Sequence, residues 1–153
     1  MAVEFEMTLT GDLELDKFIA GLAQSGQNRI MRPGVRAGAS VISKAAKQKA
    51  RRFKRTGQLA KAIGVSKVKT YPGGAVFAAV GPRTGFKMIF EGKPVNPTQY
   101  AHLVEFGTAH SEAKPFLRPA FDLEQGRAIA ASQLAAVKAV DKEVDRLRKK
   151  GTR

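Results

Sequence analysis

The chain has no cysteine among its 153 residues. That single absence excludes disulfides, thiolate metal ligands and a thiol nucleophile, and it fits synthesis in a reducing cytosol. No stretch approaches the roughly eighteen consecutive apolar residues that a membrane-spanning helix needs. The N-terminus MAVEFEMTLTGDLELDK lacks the basic start and apolar centre of a signal peptide, so a soluble, non-secreted protein is expected. No serine stands in a G-x-S-x-G elbow, no Ser, His and acid combination stands out, and GPRTG lacks the spacing and the Lys-Ser/Thr ending of a phosphate-binding loop. The sequence therefore points away from an enzyme.

Acidic residues are also missing over a long stretch. From Lys17 through Phe90 there is no Asp or Glu, in a chain whose formal charge is +14. Such a block either meets polyanion or the acidic faces of partner proteins, because an unpaired basic surface repels its own kind and attracts phosphate and carboxylate, or is simply a solvated helix face. The length suits one domain, residues 1–153, able to bury a core without metal or disulfide, with ends at about 1–10 and 149–153 expected to be flexible.

Periodicity predicts an α+β fold: a small antiparallel sheet of three to four strands packed by a long basic amphipathic helix, a short capped helix and a long C-terminal helix. GDLELDKFIAGLAQ places Leu15, Phe18, Ile19 and Leu22 on one face of a short helix. From about Val35 to Phe53, Val41, Ile42, Ala45, Ala46, Ala50 and Phe53 alternate with Lys44, Lys47, Lys49, Arg51 and Arg52 as a longer basic helix. Thr56 is placed to cap a helical turn through Leu59. IGVSKVK, AVFAAVG and FKMIFE read as strands of a meander, punctuated by TYPGG and GPRTG.

NPTQYAHLVEFG has the marks of a compact helix with written ends. Asn96 caps, Pro97 suits the first position, Gln99 completes a capping box, and Gly107 takes a left-handed conformation past the last turn. Pro115 then forces Lys114 out of the helical region, and Pro119 starts a final helix to about Arg148. Ala130, Leu134, Val137, Val140, Val144 and Leu147 give that helix an apolar seam, expected to dock on the sheet or on a neighbouring subunit.

Both histidines of the chain lie in YAHLVEFGTAHSEAKPFLRPAFD, where His102, Glu105 and His110 form a conceivable metal set. The spacing is outside the patterns that bind zinc dependably, and no orienting carboxylates accompany it, so no metal and no cofactor are expected. A helical wheel puts Tyr100, Leu103 and Val104 on one side and His102, Glu105 and Phe106 on the other. Phe106 on the polar side needs a cover, either an intrachain cluster with Phe116, Leu117 and Phe121 or another subunit. Glu105, if buried, must be paired, with Arg118, Arg55 or a basic residue of the next subunit as candidates. Lys44, Lys47, Arg51, Arg52, Lys54 and Arg55 are the candidate contacts to DNA or to partners, and without interleaved aromatics any nucleic-acid contact is sequence-independent.

The order KRTGQLAKAIGV, AVFAAVGP, YAHLVEFGT, KPFLRPAFD resembles the tail-completion or neck proteins, minor tail components of the lambda type, of long-tailed double-stranded DNA phages. The resemblance runs from about Gly11 to Asp122. It implies a non-enzymatic structural protein of the virion neck or tail, made in the host cytoplasm. It also implies a ring of copies, expected to be a hexamer, that joins capsid to tail around the DNA channel. The implied partners are head-closure or connector proteins and the tail terminator or tail tube, with DNA passing the lumen nonspecifically and no membrane. The motif maps onto Tyr100, Ala101, Val104, Glu105, Phe106, Gly107, Thr108, Pro115, Phe116, Leu117, Arg118, Pro119 and Ala120; neither histidine belongs to it. The alternative from composition is a sequence-independent nucleic-acid-binding protein using residues 29–69.

Overall fold

The computed structural model describes residues 3–5, 20–22, 24–53 and 57–151. Long helices and a small antiparallel sheet give the expected α+β class. Leu15, Phe18 and Ile19 of the predicted first helix, together with Thr56, Lys54 and Arg55, lie outside the described residues.

Helix α1 spans Gln24–Arg52 and begins about eleven residues earlier than its apolar pattern suggests. Pro33 and Gly34 read as breakers but sit inside the helix. Pro33 is exposed, so the carbonyl one turn back that loses its amide partner lies on the same outward side, within reach of water. Gly34 is buried where α1 meets the C-terminal helix. One face of α1, carrying Val35, Ala39, Ile42, Ala46 and Ala50, packs into a continuous core with Val76, Ala78 and Val80 of the sheet and with Phe116 and Leu117. Short helix α2, Gln58–Ala62, opens from Gly57 at φ 68° with no side-chain cap and runs past the predicted end at Leu59.

Strand β4 (Val76–Pro82) is the centre of the sheet. Its buried Val76, Ala78 and Val80 alternate with half-buried Phe77 and Ala79, the period expected of a strand with one face on the core. On one side it pairs antiparallel with β1, Val3–Phe5, a segment placed by sequence in a flexible end. On the other it pairs with β2 (Ile63–Val65) and β3 (Lys69–Thr70), so the predicted single strand IGVSKVK is broken. Val65 faces Val80 and Lys69 faces Phe77, which leaves one extra residue on the outer strand, a β-bulge. Ser66 fills the gap: its N–H reaches the Ala79 carbonyl at 2.8 Å and its Oγ accepts the Ala79 N–H at 2.9 Å.

FKMIFE does not continue the meander. Strand β5 (Met88–Phe90) pairs instead with β6 (Lys93–Val95) in a separate hairpin, joined by Glu91 and Gly92 at φ 51° and 75°. Two positive φ values in a two-residue loop match the twist of the flanking strands, which favours this local pairing over a longer return to β4.

Helix α3 spans Pro97–Phe106 and helix α4 spans Arg118–Gly151. The latter runs a little beyond the predicted end, and at 34 residues is about 51 Å long. It lies antiparallel on α1, as Arg29 meets Glu143 while Gly34 meets Ser132 and Ala136. The face it buries is not the predicted seam. Ala128, Ser132, Ala136 and Ala139 are buried, whereas Leu134, Val137 and Leu147 are exposed. Small residues on α4 opposite Gly34 let the two backbones approach closely, and that close contact governs the packing in place of the larger side chains. At its far end Glu143, 3% exposed, accepts the Arg29 guanidinium through two 2.7 Å bonds. These bonds hold the Glu143 carboxyl below its ordinary value and raise Arg29 above its own.

Candidate functional site

The site is the joint between α3 and α4. Asn96 Oδ1 accepts the Thr98 N–H at 3.1 Å, and the backbone amide of Gln99 turns to the Asn96 carbonyl. Asn96 is therefore the predicted cap, but its side chain accepts the Thr98 N–H, while Gln99 is held by the Asn96 backbone carbonyl. Pro97 occupies the first position, as its missing N–H permits.

The buried face of α3 is Pro97, Ala101 and Glu105, four residues apart, with Tyr100 and Val104 half-buried beside them. This corrects the helical wheel. Leu103, assigned to the apolar side, is 44% exposed, and the apparently polar Glu105 is fully buried. Burial also raises the Tyr100 phenol above its usual value.

Glu105 is buried because it has a purpose there. Its Oε2 accepts the backbone N–H groups of Phe116 at 2.8 Å and Leu117 at 2.9 Å, and its Oε1 accepts that of Arg118 at 3.0 Å. These are amides at and just before the start of α4, which have no carbonyl partner within the helix. A negative charge at the positive end of a 34-residue helix adds a favourable dipole term. Arg118 closes the cradle with Nε 3.5 Å from Oε1. Among the three predicted partners of Glu105, the structure brings Arg118 to it.

Gly107 makes the geometry possible. Its φ is positive at 77°, as expected, but ψ is −178°, an extended conformation and not the left-handed helical one. That combination is essentially restricted to glycine. Its N–H still closes the helix on Leu103, and the chain then doubles back: Thr108 and Ser111 exchange backbone bonds, and the Lys114 N–H returns to the Val104 carbonyl at 2.8 Å. A Cβ at Gly107 would lie 2.8 Å from the Ala113 nitrogen. Past Pro115 the chain inserts Phe116 and Leu117 into the core, at 0 and 1% exposure, and α4 starts with half-buried Pro119 and buried Ala120.

Phe106 stands outside this core. It is 54% exposed and does not join Phe116, Leu117 and Phe121, because at its place in the last turn of α3 it faces away from Ala101 and Glu105. Its cover is the Arg118 guanidinium, centred 4.7 Å from the ring centroid. Phe106 and Arg118 thus form an outward patch over the buried cradle, with exposed Leu103 one turn back on α3 beside Phe106.

The other candidates distribute differently. His102 and His110 are exposed, Glu105 has both oxygens engaged, and no group of three His, Cys, Asp or Glu among the described residues could hold a metal ion. No helix among the described residues is long and apolar enough to cross a membrane. Lys44, Arg51 and Arg52 are exposed on α1 and Lys47 is half-buried there. Sequence reasoning did not find the Arg29–Glu143 pair; the signal was Glu143 falling in step with Ala128, Ser132, Ala136 and Ala139.

Residues 14–107 match the HK97-gp10-like family model, described as "Bacteriophage HK97-gp10, putative tail-component". No curated protein and no solved structure matches the chain. The matched region contains α1, strands β2 to β6 and α3, and it ends at Gly107, so Glu105 lies within it and the amides it binds lie beyond.

Proposed function

Since the chain belongs to this family of phage tail components, we propose that it is a tail-completion or neck protein, a structural subunit that joins capsid to tail as a ring around the DNA channel. The observation that carries this reading is the family match across α1, strands β2 to β6 and α3. The fold supplies parts that suit it: a rigid joint at Glu105, an outward patch of Leu103, Phe106 and Arg118, and an acid-free basic helix. The mechanism is interface formation, and no catalytic step is assigned.

In this reading copies of the chain pack side by side, with sixfold symmetry, between the head-closure proteins and the tail terminator or tail tube. The residue set from Tyr100 to Thr108 and from Pro115 to Ala120 serves the subunit interfaces, mostly by fixing the direction in which α4 leaves α3. Lys44, Lys47, Arg51 and Arg52 face either the DNA in the lumen or acidic surfaces of adjacent rings. Deleting the gene from its phage is expected to leave full heads and finished tails that do not join. Normal infectious particles from the deletion strain would overturn the proposal.

The basic block of α1 also favours a second reading, sequence-independent DNA binding by the free subunit. Salt-titrated binding to duplex DNA separates the two. Affinity of about 10⁻⁶ M or tighter at physiological salt would favour the second, since nonspecific binding lies at roughly 10⁻⁴ to 10⁻⁶ M.

A further inference from the structure

Helix α4 has two apolar faces, and among the described residues the fold packs one of them. Away from the side packed on α1, Leu123, Leu134 and Val137 are 69, 58 and 50% exposed, and at its edge Ile129 and Leu147 are 43 and 41% exposed. Leu123, Ala130, Val137 and Val144 recur at steps of seven, and Gly126, Gln133, Val140 and Leu147 follow each three places on. A seven-residue repeat is what a helix shows toward another helix running along it. From Leu123 to Leu147 the strip is about 36 Å long, a mostly apolar surface interrupted at Gly126 and Gln133, of the kind that marks an interaction site.

We propose that this strip is covered by α4 of a second copy of the chain, packed antiparallel about a two-fold axis level with Ala136. Charge selects this occupant. Arg127 and Asp145 are eighteen residues apart, five full turns, so they project from the same flank of the strip, and each is nine residues from Ala136. A two-fold axis there sets Arg127 beside the partner's Asp145, and does so twice. Within its own helix Arg127, 81% exposed, has only an i,i+3 contact of 3.5 Å to Glu124, which leaves it free to swing across.

Side chains agree with this register: Leu147 falls between the partner's Leu123 and the partner's Gly126, and Leu134 and Val137 meet their own copies near the axis. A parallel pairing would leave Arg127 and Asp145 about 27 Å apart along the axis. The outer face of α1 is a poorer occupant, because that helix carries eight Lys and Arg and no acid. The contact is isologous and closes at two copies. It is therefore separate from any contact that builds a ring, goes beyond the proposed function and does not depend on it; the dimer is a state of the free protein in which the strip is shielded.

The chain's lack of cysteine makes the test direct. In the full-length protein, Val137→Cys is expected to form a disulfide-linked dimer on mild oxidation. Leu123→Cys alone is not, being about 39 Å from its copy, but it is expected to cross-link to Leu147→Cys when the two variants are mixed. Sedimentation equilibrium at about 50 μM should show dimer for the unmodified chain, and Val137→Glu should raise Kd at least about tenfold with its helical circular dichroism unchanged. Arg127→Glu and Asp145→Arg should each weaken the dimer and together restore it. A monomer at all concentrations, self-cross-linking of Leu123→Cys, or an oligomer that Val137→Glu leaves intact would overturn the proposal.

Discussion

Arg118 is bound to Glu105 twice, by its backbone N–H at 3.0 Å and by its guanidinium Nε at 3.5 Å, and so ties the last turn of one helix to the first turn of the next. With Phe116 and Leu117 adding their amides, a single carboxylate sets where α4 begins and at what angle it leaves. If Glu105 is replaced by Ala, three buried or half-buried amides lose their acceptor. Chemical denaturation is expected to show a loss of about 3–5 kcal/mol. Glu105→Gln, with the same shape but an NH₂ facing N–H donors, should lose about 2–4 kcal/mol.

Phe106 makes the opposite prediction. Its ring is half-exposed under the Arg118 guanidinium, so Phe106→Ala should change fold stability by no more than about 1 kcal/mol. The same substitution should impair plaque formation when it replaces the native gene, because the patch then lacks its aromatic. Full complementation by Phe106→Ala would remove the patch from the assembly surface.

Gly107→Val should be among the most damaging single changes in the joint. The backbone there, at φ 77° and ψ −178°, costs a β-branched residue about 1–3 kcal/mol by itself. The new Cβ would also meet the Ser111 carbonyl oxygen at 2.9 Å, a backbone atom held by the bond to Thr108. Unfolding of this variant should come at least about 3 kcal/mol earlier than that of the parent chain.

At the α1–α4 contact a Cβ on Gly34 would lie 3.1 Å from the Ser132 carbonyl oxygen. Gly34→Val should separate the helices and cost about 1–3 kcal/mol, measured by thermal or urea denaturation.

Glu143 gives a pH signature. Its carboxyl is held low by the Arg29 hydrogen bonds, so in the unfolded chain it takes up a proton at higher pH than in the fold. The stability it contributes is fully present above the ordinary carboxylate range, about pH 4.3, and is lost as pH falls through the lowered folded value. Glu143→Gln should flatten that part of the acid limb of a stability-against-pH curve and leave the neutral region sloping as before.

The helix ends were legible in the sequence because they are local: Asn96, Pro97 and Gly107 act on neighbours within four residues, and all three serve α3. The α+β class was legible from two clear periodicities. What sequence reading misplaced depends on distant partners. Pro33 and Gly34 look like a break unless the α4 surface that accepts Gly34 is known. Of the two occupants expected for the Leu134 and Val137 seam, the sheet is not the one, because closeness of approach and not side-chain size selects the face packed within the chain. Glu105 looks like a polar surface residue because its three donors lie eleven to thirteen residues away, across a reversal that Gly107 alone makes possible.

Cryo-electron microscopy of the intact head-to-tail junction of the parent phage tests the central claim most directly. The proposal predicts this fold in the density as a sixfold ring around the DNA channel, with the exposed Phe106 and Arg118 surface over the joint between neighbouring subunits and the Lys44 to Arg52 face toward DNA or an adjacent ring. A junction whose density is fully accounted for by other chains, with this protein absent from the virion, would contradict it.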